Sequence, residues 1–373
     1  MENRKSGIVR LRNNNLIKTV DYYLIIPVLL LTVIGLYVQQ KVLSVGYAAY
    51  PGNYYRQIIA TSVGIIFVLL ISLIDTHFMK LVGRIIYIGA LFLLILVPID
   101  GYTLAGTWGA DSWLNLPVIG NVQPSELAKI GLVMLSSEVF EAMEEKTIGY
   151  LKGLLYLMLI YGPPLLLILS QPDFGTAVVI IFSFVCIVFV WGLKYRYFML
   201  ALSGAVLVVP LFWNFYLEEY QKTRILSLVF AGSDPKAEYN LVQSKAAIAS
   251  GGLSGNHTGI FVSVPVKESD FIFSAVSERL GFIGTTAVII LAFFFLGRAL
   301  YVASKTSRKA YSYIIVGLVG SFAFHYIENM GMSVGLLPIT GIPLPFISLG
   351  GTAMLINYIS FGIILNISMN RKG

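Results

Sequence analysis

Ten runs of apolar residues, each near the length of a bilayer-spanning helix, follow one another along this 373-residue chain. A helix rises only about 1.5 Å per residue, so crossing the hydrocarbon core takes about 20 predominantly apolar residues. Runs of that kind fall near 23–40, 57–74, 79–98, 125–142, 151–170, 174–193, 196–216, 276–303, 310–328 and 347–368. Charged residues make up 12% of the chain and hydrophobic residues 57%, where a soluble domain carries about 25% charge. No soluble fold of this length covers so much apolar surface. The expectation is an all-α polytopic integral membrane protein with ten transmembrane helices in a single membrane domain. A polar tail over 1–20, a long loop over 217–275 and a short tail over 369–373 flank the runs. The run 125–142 is the weakest, because Glu126 and Lys129 stand near its start, and its loss would invert every later segment.

The distribution of Lys and Arg sets the orientation, more than the net charge of +7 does. With the N-terminus in the cytoplasm, seventeen of the 26 basic residues fall on inner segments. Most of the outer ones lie in the long loop, where the rule has little force. Both termini are then cytoplasmic, and residues 99–124, the QPDFG turn, 217–275 and 329–346 face outward. These are the segments of unusual composition, so chemistry is expected on the extracytoplasmic side. No small-residue cleavage site follows the polar opening stretch, so the first run is expected to stay as an anchor. The one cysteine, Cys186, lies inside an apolar run, which makes disulfide or redox chemistry unexpected. Nucleic acid is not an expected partner.

Five segments carry candidate chemistry. QPSELAK (123–129) opens the fourth run, with Pro124 suited to a first turn and Ser125 to a cap. Its Glu126 and Lys129, at i and i+3, share a helix face, either as a mutual ion pair or as direct substrate contacts. QPDFGTA (171–177) reverses the chain between two runs, and Asp173 either caps the sixth span or lines an outer cavity. QSKAAIASGGLSG (243–255) reads as a short helix ended by Gly251 and Gly252, whose glycines either admit a lipid or sugar to the backbone or simply make a turn. GLLPITGIPLPFISLGG (335–351) is apolar but studded with Pro and Gly, which at membrane depth suits a cavity wall or a structural plug. In VPVKESDFIFSAVSERLG (264–281), Ser269 or Glu268 is expected to cap a helix beginning near Asp270.

Asp270 either complements that helix dipole or acts as a base. Lys267 precedes it by three residues and Arg279 follows on the same helix, which suits an anionic, lipid-linked substrate. Cations and a helix N-terminus also lower a carboxylate's pKa and weaken it as a base, unless a bound substrate desolvates it. His77, His257 and His325 are too dispersed for zinc ligands. There is no phosphate-binding loop and no Ser-His-Asp grouping.

Together QPSELAK, QPDFGTA, KESDFIFSAVSERLGFIG and GLLPITGIPLPFISLGGTA resemble the SEDS family (shape, elongation, division and sporulation), over about residues 20–368. The QPD and ITGIPLPF texts and the short tails are most like its RodA-type branch. The resemblance implies a ten-helix fold in the bacterial cytoplasmic membrane and polymerisation of lipid II into β-1,4-linked glycan on the outer face, for elongation and shape. It implies that Asp270 is the essential aspartate and that Glu126 and Lys129 are the family's ion pair. Arg56 of YYRQ and Ser348 of PFISLGG match further motif positions. Gln123, Asp173, Lys267 and Arg279 complete the expected substrate-binding set. The chain departs from the pattern at Ser112, where the family often has Arg before Trp113, and at Leu349 and Ser269, where Tyr and Thr are usual. Implied partners are lipid II, a polyprenyl-pyrophosphate-linked glycan and a class B penicillin-binding protein. No cofactor is implied beyond a divalent cation, Mg or Mn, at the pyrophosphate. A lipid II flippase is the alternative, and a scaffold that only recruits wall enzymes is a third reading.

Overall fold

The computed structural model describes residues 20–43, 51–102, 112–116, 120–171, 173–215, 217, 219–226, 230 and 234–370. Ten long helices occur among them: α1 (Tyr22–Leu43), α2 (Pro51–Leu73), α3 (Met79–Asp100), α4 (Pro124–Glu144), α5 (Tyr150–Ser170), α6 (Phe174–Trp191), α7 (Tyr195–Phe215), α10 (Ile272–Lys305), α11 (Lys309–Val334) and α12 (Gly351–Asn370). Two shorter helices, α8 (Glu219–Leu226) and α9 (Pro235–Ser250), lie within the segment expected as the long loop. A small antiparallel hairpin, β1 (Leu114–Leu116) and β2 (Gly120–Val122), precedes α4. Among the described residues, eight helices are long and apolar enough to cross a membrane: α1, α2, α3, α5, α6, α10, α11 and α12. Large apolar side chains such as Ile66, Ile88, Phe92, Leu151 and Leu166 are exposed on α2, α3 and α5, as a lipid-facing belt requires.

Several boundaries differ from the sequence expectation. α2 begins at Pro51 instead of 57, and α10 at Ile272 instead of 276. α12 begins at Gly351 instead of 347, because residues 347–350 belong to the Pro/Gly segment that precedes it.

α4 is the least apolar long helix with described side chains, and it is packed among the others, with 15 of its 21 residues buried. Its charges are matched from other elements. Glu141 takes a forked pair of bonds from Arg308, Glu144 meets Lys309 at 3.3 Å, and Glu138 lies 3.9 Å from Arg84. These pairs lie at the C-terminal end of α4, where Arg84 of α3, Arg308 of the α10–α11 turn and Lys309 of α11 supply the partners. A further pair, Arg298–Asp21 at 2.7 Å, ties α10 to the start of α1.

The core is closed by Phe346, a fully buried residue at φ 63. Its ring meets Phe295 of α10, Phe322 of α11, and Tyr358 and Phe361 of α12, with centroids 5.4–6.4 Å apart. A non-glycine residue held at positive φ costs on the order of 1–3 kcal/mol. Edge-to-face packing on Phe295, Tyr358 and Phe361 and a tilted contact with Phe322 offset that cost.

Candidate active site

Residues 336–350 run without helix between α11 and α12; residues 344–348 are buried and all the others except Leu336 are at least partly so. Such backbone survives at membrane depth only if other groups satisfy it. Here polar side chains from the surrounding helices do so. Gln39 donates to Ile347 O at 2.5 Å, and Gln57 spans Ser348 O and Gly350 N, both at 3.0 Å. Asn329 donates to Ile342 O at 2.8 Å and Tyr326 to Pro345 O at 3.3 Å. His325 Nδ1 lies 3.0 Å from Pro343 O. Ser348 Oγ accepts from Leu344 N at 2.8 Å. The approach of α1 is close enough that a Cβ on Gly35 would meet Ile347 Cα at 2.7 Å.

Asp270 sits on this platform. Its turn is closed by Val266, at φ 54, whose carbonyl accepts from Asp270 N at 3.1 Å and from Ser269 and Phe271 N at 3.3 Å. Two bonds join the turn to the Pro/Gly segment, Ser348 Oγ to Ser269 O (2.6 Å) and Leu349 N to Glu268 O (2.9 Å), and Asn329 of α11 donates to Asp270 O (2.7 Å). Ser269 Oγ donates to Asp270 Oδ1 at 3.0 Å. The Asp270 side chain is half-buried. The expected cap is corrected: α10 begins after Phe271 with no side-chain capping bond, and neither Ser269 nor Glu268 caps it.

Around Asp270 the structure places the other expected residues at the same end of the bundle, in different roles. Asp173 caps α6 by accepting from Thr176 N at 3.2 Å, and its second oxygen accepts from Gln123 and Ser125, each at 2.9 Å. Burial pushes the Asp173 carboxyl above the usual carboxylate range, against the bonds from Thr176 and Ser125. Ser125 therefore serves Asp173 and is not the cap of α4, whose N-cap is Gln123 without a side-chain bond. Glu126 and Lys129 form a buried pair at 2.7 Å, and Lys129 Nζ also lies 2.8 Å from His325 Nε2. Ser348 is buried and spent on Leu344 N and Ser269 O.

The cations divide. Arg56 is exposed on α2, beside Gln57. Lys267, expected to face the substrate, is 6% exposed; its ammonium meets Glu278 at 2.5 Å and donates to Val262 O at 2.9 Å. Burial pushes the Lys267 ammonium below its ordinary value, while the Glu278 carboxylate opposes this. Arg279 is half-buried, stacks 3.4 Å over the Phe261 ring and donates to Lys41 O at 3.2 Å. The glycines after α9 are also reassigned. Gly251 and Gly255 lie against the backbone of Ser277 and Arg279, and Phe282 N bonds Gly252 O at 2.9 Å, so this turn packs on the Gly281 kink of α10.

The FtsW–RodA–SpoVE family, described as "Cell cycle protein", matches residues 17–373. The chain belongs to this family. "Peptidoglycan glycosyltransferase MrdB" of Escherichia coli strain K12 is 31% identical over 293 residues, covering 77% of this chain and 78% of that protein. "Stage V sporulation protein E" of Bacillus subtilis strain 168 is 29% identical over 362 residues, covering 93% and 96%. A solved structure from work described as "Structural coordination of polymerization and crosslinking by a peptidoglycan synthase complex" matches with TM-score 0.81 at 27% identity, over 95% of this chain and 98% of that one. The crystal structure of Thermus thermophilus rod shape determining protein RodA matches with TM-score 0.69 at 25% identity, over 95% and 98%.

In this member of the FtsW–RodA–SpoVE family, Gln39, Gln57, His325, Glu328 and Asn329 belong to the site as much as the motif residues do, and sequence reasoning passed over them. The available signal was position: Gln39, Gln57, His325 and Glu328 are polar residues within apolar runs, which calls for buried partners, and Asn329 directly follows one. The carbonyls of a proline-rich segment are such partners. The loop residues 103–111 before Ser112, including the GAD of the GADSWL text, lie outside the described residues. Ser112 itself is buried, and Trp113 bridges Tyr102.

Proposed function

We propose that this chain polymerises lipid II into β-1,4-linked glycan at the outer face of the bacterial cytoplasmic membrane, with Asp270 as general base. The chain is a peptidoglycan glycosyltransferase, the activity its relatives' names carry. The observation that carries the mechanism is Asp270 itself: a part-exposed carboxylate whose turn is bonded on several sides to a rigid, buried platform. The excess of Lys and Arg on the opposite segments supports an extracytoplasmic position for that end.

In this reading the GlcNAc 4-hydroxyl of lipid II attacks the anomeric carbon of the MurNAc that is α-linked to polyprenyl pyrophosphate on the growing strand. A hydroxyl is a weak nucleophile, and a positioned base contributes about 10²–10⁴-fold. Asp270 takes the hydroxyl proton as the new C–O bond forms. The anomeric C–O bond to pyrophosphate breaks on the opposite face, which inverts α to β, and the diphosphate leaves with the electron pair. Positive groups stabilise that charge. Arg56, exposed at the rim, is assigned this task, with Arg279 next to it in order of accessibility. Lys267 is assigned a structural role because Glu278 occupies it. Among the described residues no group of three or more His, Cys, Asp or Glu is placed to hold a metal. These residues do not make a resident magnesium or manganese site, so a divalent cation would travel with the pyrophosphate, and no step is routed through it.

Nothing observed favours a flippase or a bare scaffold; the motif residues gather at one end of the helices rather than along a crossing path. A cross-linking partner, a class B penicillin-binding protein, fits a fold shared with a peptidoglycan synthase complex. The test is polymerisation of lipid II by the purified chain, with and without that partner. Wild type should build glycan and Asp270→Ala should not, with unfolding temperature unchanged. Polymer from Asp270→Ala at the wild-type rate removes the base assignment.

A further inference from the structure

The Glu126–Lys129 pair admits two roles, substrate contact or internal support, and the geometry decides between them. Both residues are buried, at 4% and 6% exposure. Lys129 Nζ lies 2.7 Å from Glu126 Oε1 and 2.8 Å from His325 Nε2. An ammonium can only donate, so Nε2 accepts and the imidazole proton resides on Nδ1. Nδ1–H is then directed to Pro343 O at 3.0 Å. On α11, His325, Glu328 and Asn329 stand at i, i+3 and i+4, one face of the helix. Each takes one residue of the turn 340–343. Glu328 accepts from Thr340 Oγ1 at 2.8 Å, Asn329 donates to Ile342 O at 2.8 Å, and His325 donates to Pro343 O. The same Asn329 amide donates to the carbonyl of Asp270 at 2.7 Å. Gly341, in the middle of the turn, lies directly against the Asp270 carboxylate.

We propose that His325, Glu328 and Asn329 are positioning residues for Asp270, and that Glu126 and Lys129 act on the reaction through His325 without touching substrate. One helix face thus sets the turn that abuts the carboxylate and, through one amide, the main chain that carries it. Lys129 fixes the imidazole tautomer that makes the His325 contact a donor. The inference rests on Asp270 being the base.

The test measures initial rates of lipid II polymerisation by the purified full chain, yielding kcat, KM and the pH–rate profile, beside unfolding temperature. Asn329→Asp removes both donated bonds at nearly unchanged shape. It should lower kcat about ten- to hundredfold, the scale of a misplaced reacting group, while KM stays within about twofold. His325→Asn keeps a donor near the Nδ1 position, whereas His325→Gln keeps an acceptor near Nε2 and loses the Pro343 bond. His325→Asn should therefore retain more kcat than His325→Gln, and the acid limb of the pH profile should shift in both. Lys129→Met should follow the same pattern of lower kcat at constant KM. A rise in KM at constant kcat for Lys129→Met would mean substrate contact and overturn the proposal, as would wild-type kinetics in folded Asn329→Asp or the reverse order of the two His325 variants. If Asn329→Asp does not fold, the His325 pair decides alone. Asp270→Ala in the same assay separates the layers: activity there removes the base assignment itself, whereas inactivity there with wild-type His325 and Asn329 variants removes only the positioning role.

Discussion

Gly341 leaves room for Asp270: a Cβ added at position 341 would stand 3.2 Å from Asp270 Oδ2, and the residue holds φ 75. Gly341→Ala therefore meets two penalties. The left-handed backbone costs a non-glycine residue about 1–2 kcal/mol, and the new methyl group must displace the carboxylate or the turn. The expected outcome is a loss of polymerisation of about tenfold or more, with only a modest fall in unfolding temperature. Parallel rate and thermal-unfolding measurements on the purified variant check this; full activity would show that the carboxylate has slack.

Lys267 and Arg56 should separate when each is truncated. Lys267 and Glu278 are buried together, and breaking a buried pair by removing one partner costs about 3–5 kcal/mol. Glu278→Gln and Lys267→Met should each lower stability strongly. The double variant should recover only part of the loss, because Lys267 also donates to Val262 O at 2.9 Å and Met cannot. Arg56→Ala, on an exposed side chain, should leave unfolding unchanged and weaken catalysis. A stability cycle in detergent, read beside lipid II kinetics, tests both.

Gln57 spans Ser348 O and Gly350 N with one amide. Gln57→Leu fits the same space but leaves a buried donor and a buried acceptor unmade, each worth about 1–3 kcal/mol. The variant should be less stable and less active. An unchanged unfolding temperature would mean that these backbone groups find other partners.

Asp173 gives a pH dependence. Its carboxyl is raised by burial, so the folded state binds a proton more readily than the unfolded chain does. Stability from this group is then present below the unfolded value of about 4 and falls as pH rises through the raised folded value. Asp173→Asn should flatten that part of the curve. It should also cost stability, since both carboxylate oxygens accept here and an amide, with one oxygen, cannot serve Thr176 N as well as Gln123 and Ser125. Unfolding temperature followed upward from about pH 4 reads both outcomes.

Membrane character was legible because bilayer thickness imposes a length that apolar runs either meet or miss. The Pro/Gly segment was legible as an odd element, because proline removes donors that a spanning helix needs. Its partners were not. His325 and Lys129 are 196 residues apart, and Gln57 and Ser348 are 291 apart; local patterning carries no trace of such pairs. Lys267 shows the same limit: proximity to Asp270 along the chain suggests a shared task, while Glu278, eleven residues on, takes the ammonium. The start of α10 was misplaced because Ser269 has the chemistry of a cap, yet its hydroxyl turns to Asp270 instead.

The charges of α4 also bear on how the protein is made. Glu141 meets Arg308, which is synthesised 167 residues later, and Lys129 waits still longer for His325. A single ionised side chain at mid-membrane opposes insertion by about 2.5–3.5 kcal/mol. Lys129 finds Glu126 within its own helix, but the segment leaves the ribosome long before Arg308 or His325 exists, which favours shelter by the translocon or residence at the lipid headgroups until α11 arrives. Assembly of the bundle is therefore scheduled by the appearance of its last helices, and truncation after α10 should strand an already synthesised helix outside the bilayer.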